Sequence, residues 1–394
     1  MTKSDSKKLH GQFVMPTYAP ELTLVRGSGV SVWDETGKEY LDFMAGIAVC
    51  NTGHCHPAVV RAVQEQVATF MHCSNLFHNE LQPLLARKLS EISALDGKVF
   101  FCNSGAEANE ALFKLARKWG SMDGRYEIVT MNNSFHGRTL ATMTATGQTK
   151  YQKGFEPLMP GFAYAEFNNL ESVRAAITPK TVAILCESVQ GEGGIVPATP
   201  EFMTGLRALC DEKNILFFID EVQSGIGRTG KWFGFQNYPV QPDGISIAKA
   251  LGSGFPIGAI AVTPKLSDVF QPGNHASTFG GTPLACAAAL ATLTTIEKEH
   301  LLENAVTMGA LFTAGLQKLA EKHPVIQSVR GIGLMIGVVL EGSAKPVEVA
   351  LREKGLLSIA TGEHVLRFVP PLVVTADQIQ HALDLLDQVL TQGT

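Results

Sequence analysis

Between about residues 50 and 290 the chain alternates short apolar runs with amphipathic stretches. The runs KVFFC (98–102), YEIVTM (126–131), TVAILCE (181–187), ILFFID (215–220), GISIA (244–248) and AIAVT (259–263) have strand length and no clean in–out alternation. Strands of that kind, separated by helices, predict a sheet buried on both faces. Between them, NSGAEANEALFKLARKWG (103–120) places Leu112, Leu115, Ala116 and Trp119 at helical spacing. TPEFMTGLRALCDEKN (199–214) reads as a helix capped by Thr199 and opened by Pro200.

The pattern changes on either side of this block. VRGSGVSVWDETGKEYLDFMAG (25–46) has hairpin character, with ETGK as its turn. After residue 290 a long helical region runs to about 322, followed by VIQSVRGIGLMIGVVLEG, HVLRFVPPLVVT and a final amphipathic helix. The expected organisation is a disordered tail over 1–14, an N-terminal segment 15–50 that packs with the small domain, a large α/β domain 51–290 and a smaller α+β domain 291–394.

A chain of 394 residues with 45% hydrophobic and 18% charged residues has ample material for a large core. Its net charge of -5 gives no basis for a nucleic-acid or anionic-membrane partner. The start, MTKSDSKKLHGQF, lacks an apolar signal core, and the stretch GGTPLACAAALATLTTI (280–296) is too short and too rich in Gly, Thr and Ala to span a bilayer. Seven cysteines without a CxxC pair fit reduced thiols and a cytoplasmic location. His54, Cys55 and His56 stand too close together for ordinary metal-ligand spacing, so no metal is expected.

The chemistry starts at SIAKALGSGFPIGA (246–259). Lys249 is the only charge between Asp243 and Lys265. A lysine in apolar surroundings ordinarily snorkels to solvent; one kept neutral is a nucleophile for Schiff-base chemistry. Other features complete such a site. Asp220 ends an apolar strand, where it serves either as a structural cap or as the partner of a protonated heterocyclic nitrogen. Ser104, Gly105 and Ala106 start a helix whose free N–H groups suit a phosphate. Phe135 follows another strand, with Arg138 three residues on. Ser277 and Thr278 precede two glycines. Together these are the protein parts that pyridoxal 5'-phosphate requires. GIGRTG (225–230) matches a dinucleotide fingerprint and nearly a P-loop. However, Trp232 stands where Ser or Thr would hold magnesium, and no helix follows, so a glycine-rich active-site loop is expected.

The segments FFCNSGAEANEALFKLAR, FHGRT, ESVQGEGG, FIDEVQSGIGRTG, AKALGSGFPIGA and STFGGTPLACAAAL resemble the class III (ω-amino) pyridoxal-phosphate aminotransferases over about residues 15–392. GQTKYQKGFEPLMPGF and VLRFVPPLVVT are most similar to the acetylornithine aminotransferase group. The resemblance implies a fold type I homodimer with active sites at the interface. It implies that Lys249 carries the cofactor and that Asp220 faces the pyridine nitrogen. Phe135 would stack on the ring, Ser104, Gly105 and Ala106 would meet the phosphate, and Glu221, Val222 and Gln223 would line the ring. Thr278 would reach the cofactor of the partner subunit. Arg138, Glu192, Ser277 and Arg367 would meet the substrates, with Glu192 pairing Arg367 whenever no substrate carboxylate does. The reaction implied transfers a terminal amino group to 2-oxoglutarate. Departures from the pattern fall at Cys50-Asn51-Thr52, Ser253 and Thr282. Ile47 stands where ornithine aminotransferases carry a substrate-binding tyrosine, against free ornithine. GABA, succinylornithine and aminoadipate-derived amines remain alternative donors.

Overall fold

The computed structural model describes residues 5–393. A seven-stranded sheet forms its centre: β1 (Val99–Cys102), β2 (Glu127–Met131), β3 (Phe162–Ala165), β4 (Thr181–Glu187), β5 (Leu216–Asp220), β6 (Gly244–Ile247) and β7 (Gly258–Val262). Their order is β1-β7-β6-β5-β4-β2-β3. Only β7 runs antiparallel to its neighbours. Every residue of β4, β5, β6 and β7 is buried, as expected for a sheet covered on both faces. Six of these strands are legible as apolar runs. The seventh, β3, is a short edge strand with one buried residue, so it carries little apolar signal.

The helix Gly105–Trp119 buries Ala108, Ala111, Leu112, Leu115 and Ala116 against this sheet. Ser104 caps it by accepting from the Glu107 amide at 3.2 Å. The helix Pro200–Lys213 begins as its sequence predicts: Pro200 is the first residue, and the Thr199 hydroxyl accepts from the Phe202 amide at 3.1 Å.

The two chain ends pack together. Strands Ser31–Asp34 and Glu39–Asp42 form the expected hairpin. The Asp34 carboxylate ties the turn, accepting from the Thr36 and Lys38 amides at 2.8 and 3.0 Å. Leu356–Leu357 joins this sheet parallel to Glu39–Asp42, and a second antiparallel sheet comprises Ile326–Ile332, Met335–Leu340, Val365–Phe368 and Ile359–Thr361. Phe43 meets Phe312 and Phe368 edge-on, with ring centroids 5.5 and 6.3 Å apart, so one apolar cluster joins the N-terminal segment to the C-terminal region. Where a disordered tail is expected, Asp5–Phe13 forms a helix, and Lys7 pairs with Glu35 at 3.0 Å.

Candidate active site

The parallel strands end on one side of the sheet, the edge at which open α/β sheets bind ligands. β4, β5 and β6 finish level: Asp220 is in register with Glu187 on one side and Ser246 on the other. A cavity of about 410 Å³ opens there. Of the residues singled out from the sequence, Ser104, Gly105, Ala106, Phe135, Arg138, Asp220, Val222, Gln223 and Lys249 line it. They come from four separate stretches of chain.

Lys249 follows β6 in a left-handed conformation, φ +46, which a non-glycine residue adopts only under constraint from its surroundings. Burial pushes its ammonium below the usual lysine range and Arg367 adds to that, while Glu192 opposes it. The chain therefore favours a more nucleophilic amine at this point.

Asp220 is buried, and burial by itself pushes its carboxyl up. Hydrogen bonds outweigh burial and hold its carboxyl below the usual range. His136 Nδ1 lies 2.8 Å from Oδ2, the Asn109 amide donates to the same oxygen at 2.7 Å, and the Val222 amide donates to Oδ1 at 3.0 Å. His136 and Asn109 were not foreseen. Asn109 stands on the buried face of its helix, and His136 lies inside the FHGRT motif; those positions were the available signals. Glu187, also unforeseen, lines the cavity. Burial first, then Asp220, pushes its carboxyl well up. It accepts from the Phe135 and Gly191 amides at 3.3 and 3.2 Å and so ties two loops to the sheet edge.

The cavity suits a flat, phosphorylated aromatic group. At the helix start, Ser104 caps the Glu107 and Ala108 amides with its hydroxyl and carbonyl, while Gly105 and Ala106 face the cavity. A Cβ at Gly105 would sit 2.7 Å from a Val222 methyl, so the close packing there needs glycine. Phe135 supplies an aromatic wall, steadied by an edge-on contact with Tyr151 at 5.7 Å. The Arg138 guanidinium lies 4.1 Å from the Tyr151 ring centroid and, among the described residues, has no carboxylate partner.

Other expectations resolve differently. Glu221 does not line the cavity. Its carboxylate turns the other way, accepting from Ser224 Oγ and the Gly234 and Phe235 amides, each at 2.7 Å. Burial pushes it up to about 7. Consecutive acids at a strand end point to opposite sides, so only one can face the cavity. GIGRTG does not line the cavity either: Arg228 turns inward and is wholly buried. Ser277 sits at the cavity margin, accepting from the lining Asn103 at 3.2 Å. Thr278 lies outside it and is exposed.

Arg367 and Glu192 adjoin the cavity behind Gln223. Arg367 Nη1 donates to Glu192 at 2.6 Å and to Gln223 at 3.2 Å. The Arg367 side chain is 1% exposed and that of Glu192 23%, so the carboxylate is the freer partner. Among the described residues Arg367 Nε has no hydrogen-bond partner. The departures from the family pattern find local partners. Thr52 and Ser253 hydroxyls lie 2.6 Å apart, and Thr282 donates to the Met71 carbonyl at 2.8 Å. His54 pairs with Asp42 and His56 with Glu299, so the two histidines of GHCHP are engaged separately.

Comparison with known proteins places this geometry. The family described as aminotransferase class-III matches residues 14–390. The acetylornithine aminotransferase of Caldanaerobacter subterraneus is 52% identical over 97% of this chain and 98% of its own length. The ornithine aminotransferase of Toxoplasma gondii, solved with PLP in partial occupancy at its active site, superposes with a TM-score of 0.95 at 34% identity, covering 99% of this chain and 95% of its own. The acetylornithine aminotransferase of Elizabethkingia anophelis gives 0.87 at 34% identity, with 98% of each chain covered. A family match over nearly the whole length, met by a cavity whose lysine, carboxylate and helix start suit the cofactor, makes this chain a member of the class III aminotransferases, which work with pyridoxal 5'-phosphate.

Proposed function

We propose that this enzyme moves the terminal amino group of N2-acetyl-L-ornithine to 2-oxoglutarate, giving the semialdehyde and glutamate, a step of arginine biosynthesis. The observation that carries the reading is the Glu192–Arg367 pair at 2.6 Å beside a cavity lined by Lys249, Asp220 and the unpaired Arg138. Half identity to an acetylornithine aminotransferase supports the same donor.

When bound, the cofactor supplies an aldehyde and an electron-withdrawing ring that carries the amino group from donor to acceptor. Lys249 Nζ would hold it covalently. The same amine, once free, would take the proton from the substrate carbon bearing nitrogen as base and give one up as acid. Asp220 would keep the ring nitrogen protonated, with His136 and Asn109 keeping Asp220 anionic and aimed. Phe135, Val222 and Gln223 would hold the ring, and Ser104, Gly105 and Ala106 would bind the phosphate. Glu221 serves from behind, fixing the Ser224–Phe235 turn.

Two different substrates then share one site. Arg138 binds the distal carboxylate of each, the α-carboxylate of acetylornithine and the γ-carboxylate of glutamate, with Ser277 at the margin. Arg367 binds the α-carboxylate of glutamate. With the amine donor no carboxylate reaches Arg367, and Glu192 stays on it, sparing a buried unpaired charge. Because Glu192 is the more exposed partner, it is the one that moves.

Arg367→Ala is expected to slow the glutamate half-reaction by about 2 kcal/mol, roughly 30-fold, and the acetylornithine half much less. Glu192→Gln is expected to impair the acetylornithine half more. Single-turnover absorbance with each donor reads the halves separately; equal slowing of both donors by Arg367→Ala would sink the switch. A panel of acetylornithine, succinylornithine, GABA and ornithine tests the donor, and a several-fold preference for any of the last three would replace it.

The reading includes a cytoplasmic homodimer of two-domain subunits, in which Thr278 reaches the partner's cofactor. Thr278 and Phe279 are exposed, and Leu76 and Phe77 are exposed on the segment whose Asn75 donates to the Ser277 and Gly280 carbonyls at 2.9 Å. An apolar patch of this kind suits an interface. Sedimentation and mixed-mutant complementation test it: Lys249→Ala and Thr278→Ala chains should regain activity when combined. Among the described residues no helix is long and apolar enough to cross a membrane.

A further inference from the structure

Glu192 sits at the tip of a hairpin. Val189–Gln190 pairs antiparallel with Val196–Pro197, and residues 191–195 connect them. Gly191, Gly193 and Gly194 surround Glu192, the composition of a mobile loop. Its contacts are those of a fixed one. The Glu187 carboxylate accepts from the Gly191 amide at 3.2 Å. Thr361 Oγ1 donates to the Glu192 carbonyl at 2.9 Å. Arg330 donates through Nε and Nη2 to the Gly194 carbonyl at 3.0 and 2.8 Å. A Cβ at Gly193 would sit 2.7 Å from the Asn133 carbonyl oxygen, so that glycine serves close packing.

Two of these anchors share a sheet face with Arg367. Across the C-terminal sheet Arg330 is paired with Gly337, and Gly337 with Arg367. Thr361 is paired with Val365, which stands two residues before Arg367 on the same strand. Directly opposed residues of antiparallel strands point to one face, as do residues two apart on a strand. Arg330, Thr361 and Arg367 therefore project from one face, and the hairpin tip lies against it. Gly337, between the two arginines, admits Ile195: a Cβ there would sit 2.8 Å from the Cβ of Ile195. Ile195 is buried and clusters with Val189, Met335 and Val369. Among the described residues no carboxylate pairs with Arg330, whose charge is directed at the one peptide carbonyl.

We propose that Arg330 and Thr361 are positioning residues for the Glu192–Arg367 switch: they fasten the main chain around Glu192 to the sheet face that carries Arg367, so that Glu192 leaves and regains Arg367 by side-chain rotation alone. The inference rests on the two-substrate switch proposed above. The Glu192 backbone and the Arg367 strand then move as one body, and a shift of the C-terminal region against the central sheet leaves the pair in register. With acetylornithine as donor, Glu192 must stand on Arg367. A loosened loop spreads its carboxylate over other positions and leaves Arg367 unpaired for part of the time. Glutamate supplies its own carboxylate to Arg367, so its half-reaction does not depend on where Glu192 rests.

The test measures single-turnover absorbance of the holoenzyme with acetylornithine and with glutamate. Thr361→Val removes the hydroxyl at nearly constant volume. It is expected to slow the acetylornithine half about 3- to 10-fold, the size of one net hydrogen bond, and to leave the glutamate half within about 2-fold. Thr361→Ser, which keeps the hydroxyl, should restore the ratio of the two halves, and Arg330→Met should shift it in the same direction as Thr361→Val. In a Glu192→Gln background, Thr361→Val should leave the ratio where Glu192→Gln alone puts it. Equal slowing of both halves by Thr361→Val overturns the proposal, as does the same shift in ratio with and without Glu192. A ratio moved by Glu192→Gln but not by Thr361→Val removes the positioning role and leaves the switch standing. A ratio unmoved by Glu192→Gln removes the switch, and the positioning role with it. The Thr361 variants decide the matter even if Arg330→Met does not fold.

Discussion

Lys249→Ala enzyme is expected to show no measurable transamination, a loss of at least about 10⁴-fold, the upper end of what one proton-transfer group supplies. Among the described residues Lys249 is the only lysine lining the cavity. No other amine can hold the cofactor there or move the substrate proton. Borohydride reduction of native enzyme, followed by peptide mapping, should place the label on Lys249. A label on another lysine, or substantial turnover in the variant, would reject the assignment. The substitution also tests a structural point. Position 249 has φ +46, which alanine tolerates no better than lysine, so the variant should lose activity without gaining stability.

Asp220→Asn should bind cofactor and lose activity on the order of 10²–10³-fold, the usual cost of removing one preorganised electrostatic partner. A neutral amide cannot keep the ring nitrogen charged. The hydrogen bonds add a second cost. Asp220 accepts on both oxygens, from His136 and Asn109 on Oδ2 and from the Val222 amide on Oδ1. In either orientation, asparagine turns its NH₂ toward at least one of these donors. A donor facing a donor in a buried site costs about 1–3 kcal/mol, which thermal unfolding of the holoenzyme will read. Near-normal turnover with cofactor bound would remove Asp220 from this role. Unchanged stability would question the network around it.

Asp220 and Lys249 were visible in the sequence for one reason: each is a charge set in an apolar context, and such a charge needs an explanation. The partners that tune them were not visible. His136 and Asn109 lie 84 and 111 residues from Asp220 and meet it only once strands have paired and their terminal loops have converged. Glu221 was misplaced because a run of two acids does not say which one faces inward. That depends on the phase at which β5 leaves the sheet. The edge strand β3 was missed because its burial is slight.

The sequence by itself determined the sheet-forming runs, the helix starts at Ser104 and Thr199, the hairpin at ETGK and the presence of a lysine and a carboxylate at strand ends. These follow from local propensity, capping and periodicity, which act over a few residues. Tertiary structure alone decided that His136 and Asn109 converge on Asp220, that GIGRTG turns its arginine inward onto Asn51 rather than toward the ligand cavity, and that His54 pairs with Asp42. Those contacts join chain segments far apart in sequence. Their geometry is set by how the two chain ends pack on the central sheet, which no local pattern encodes.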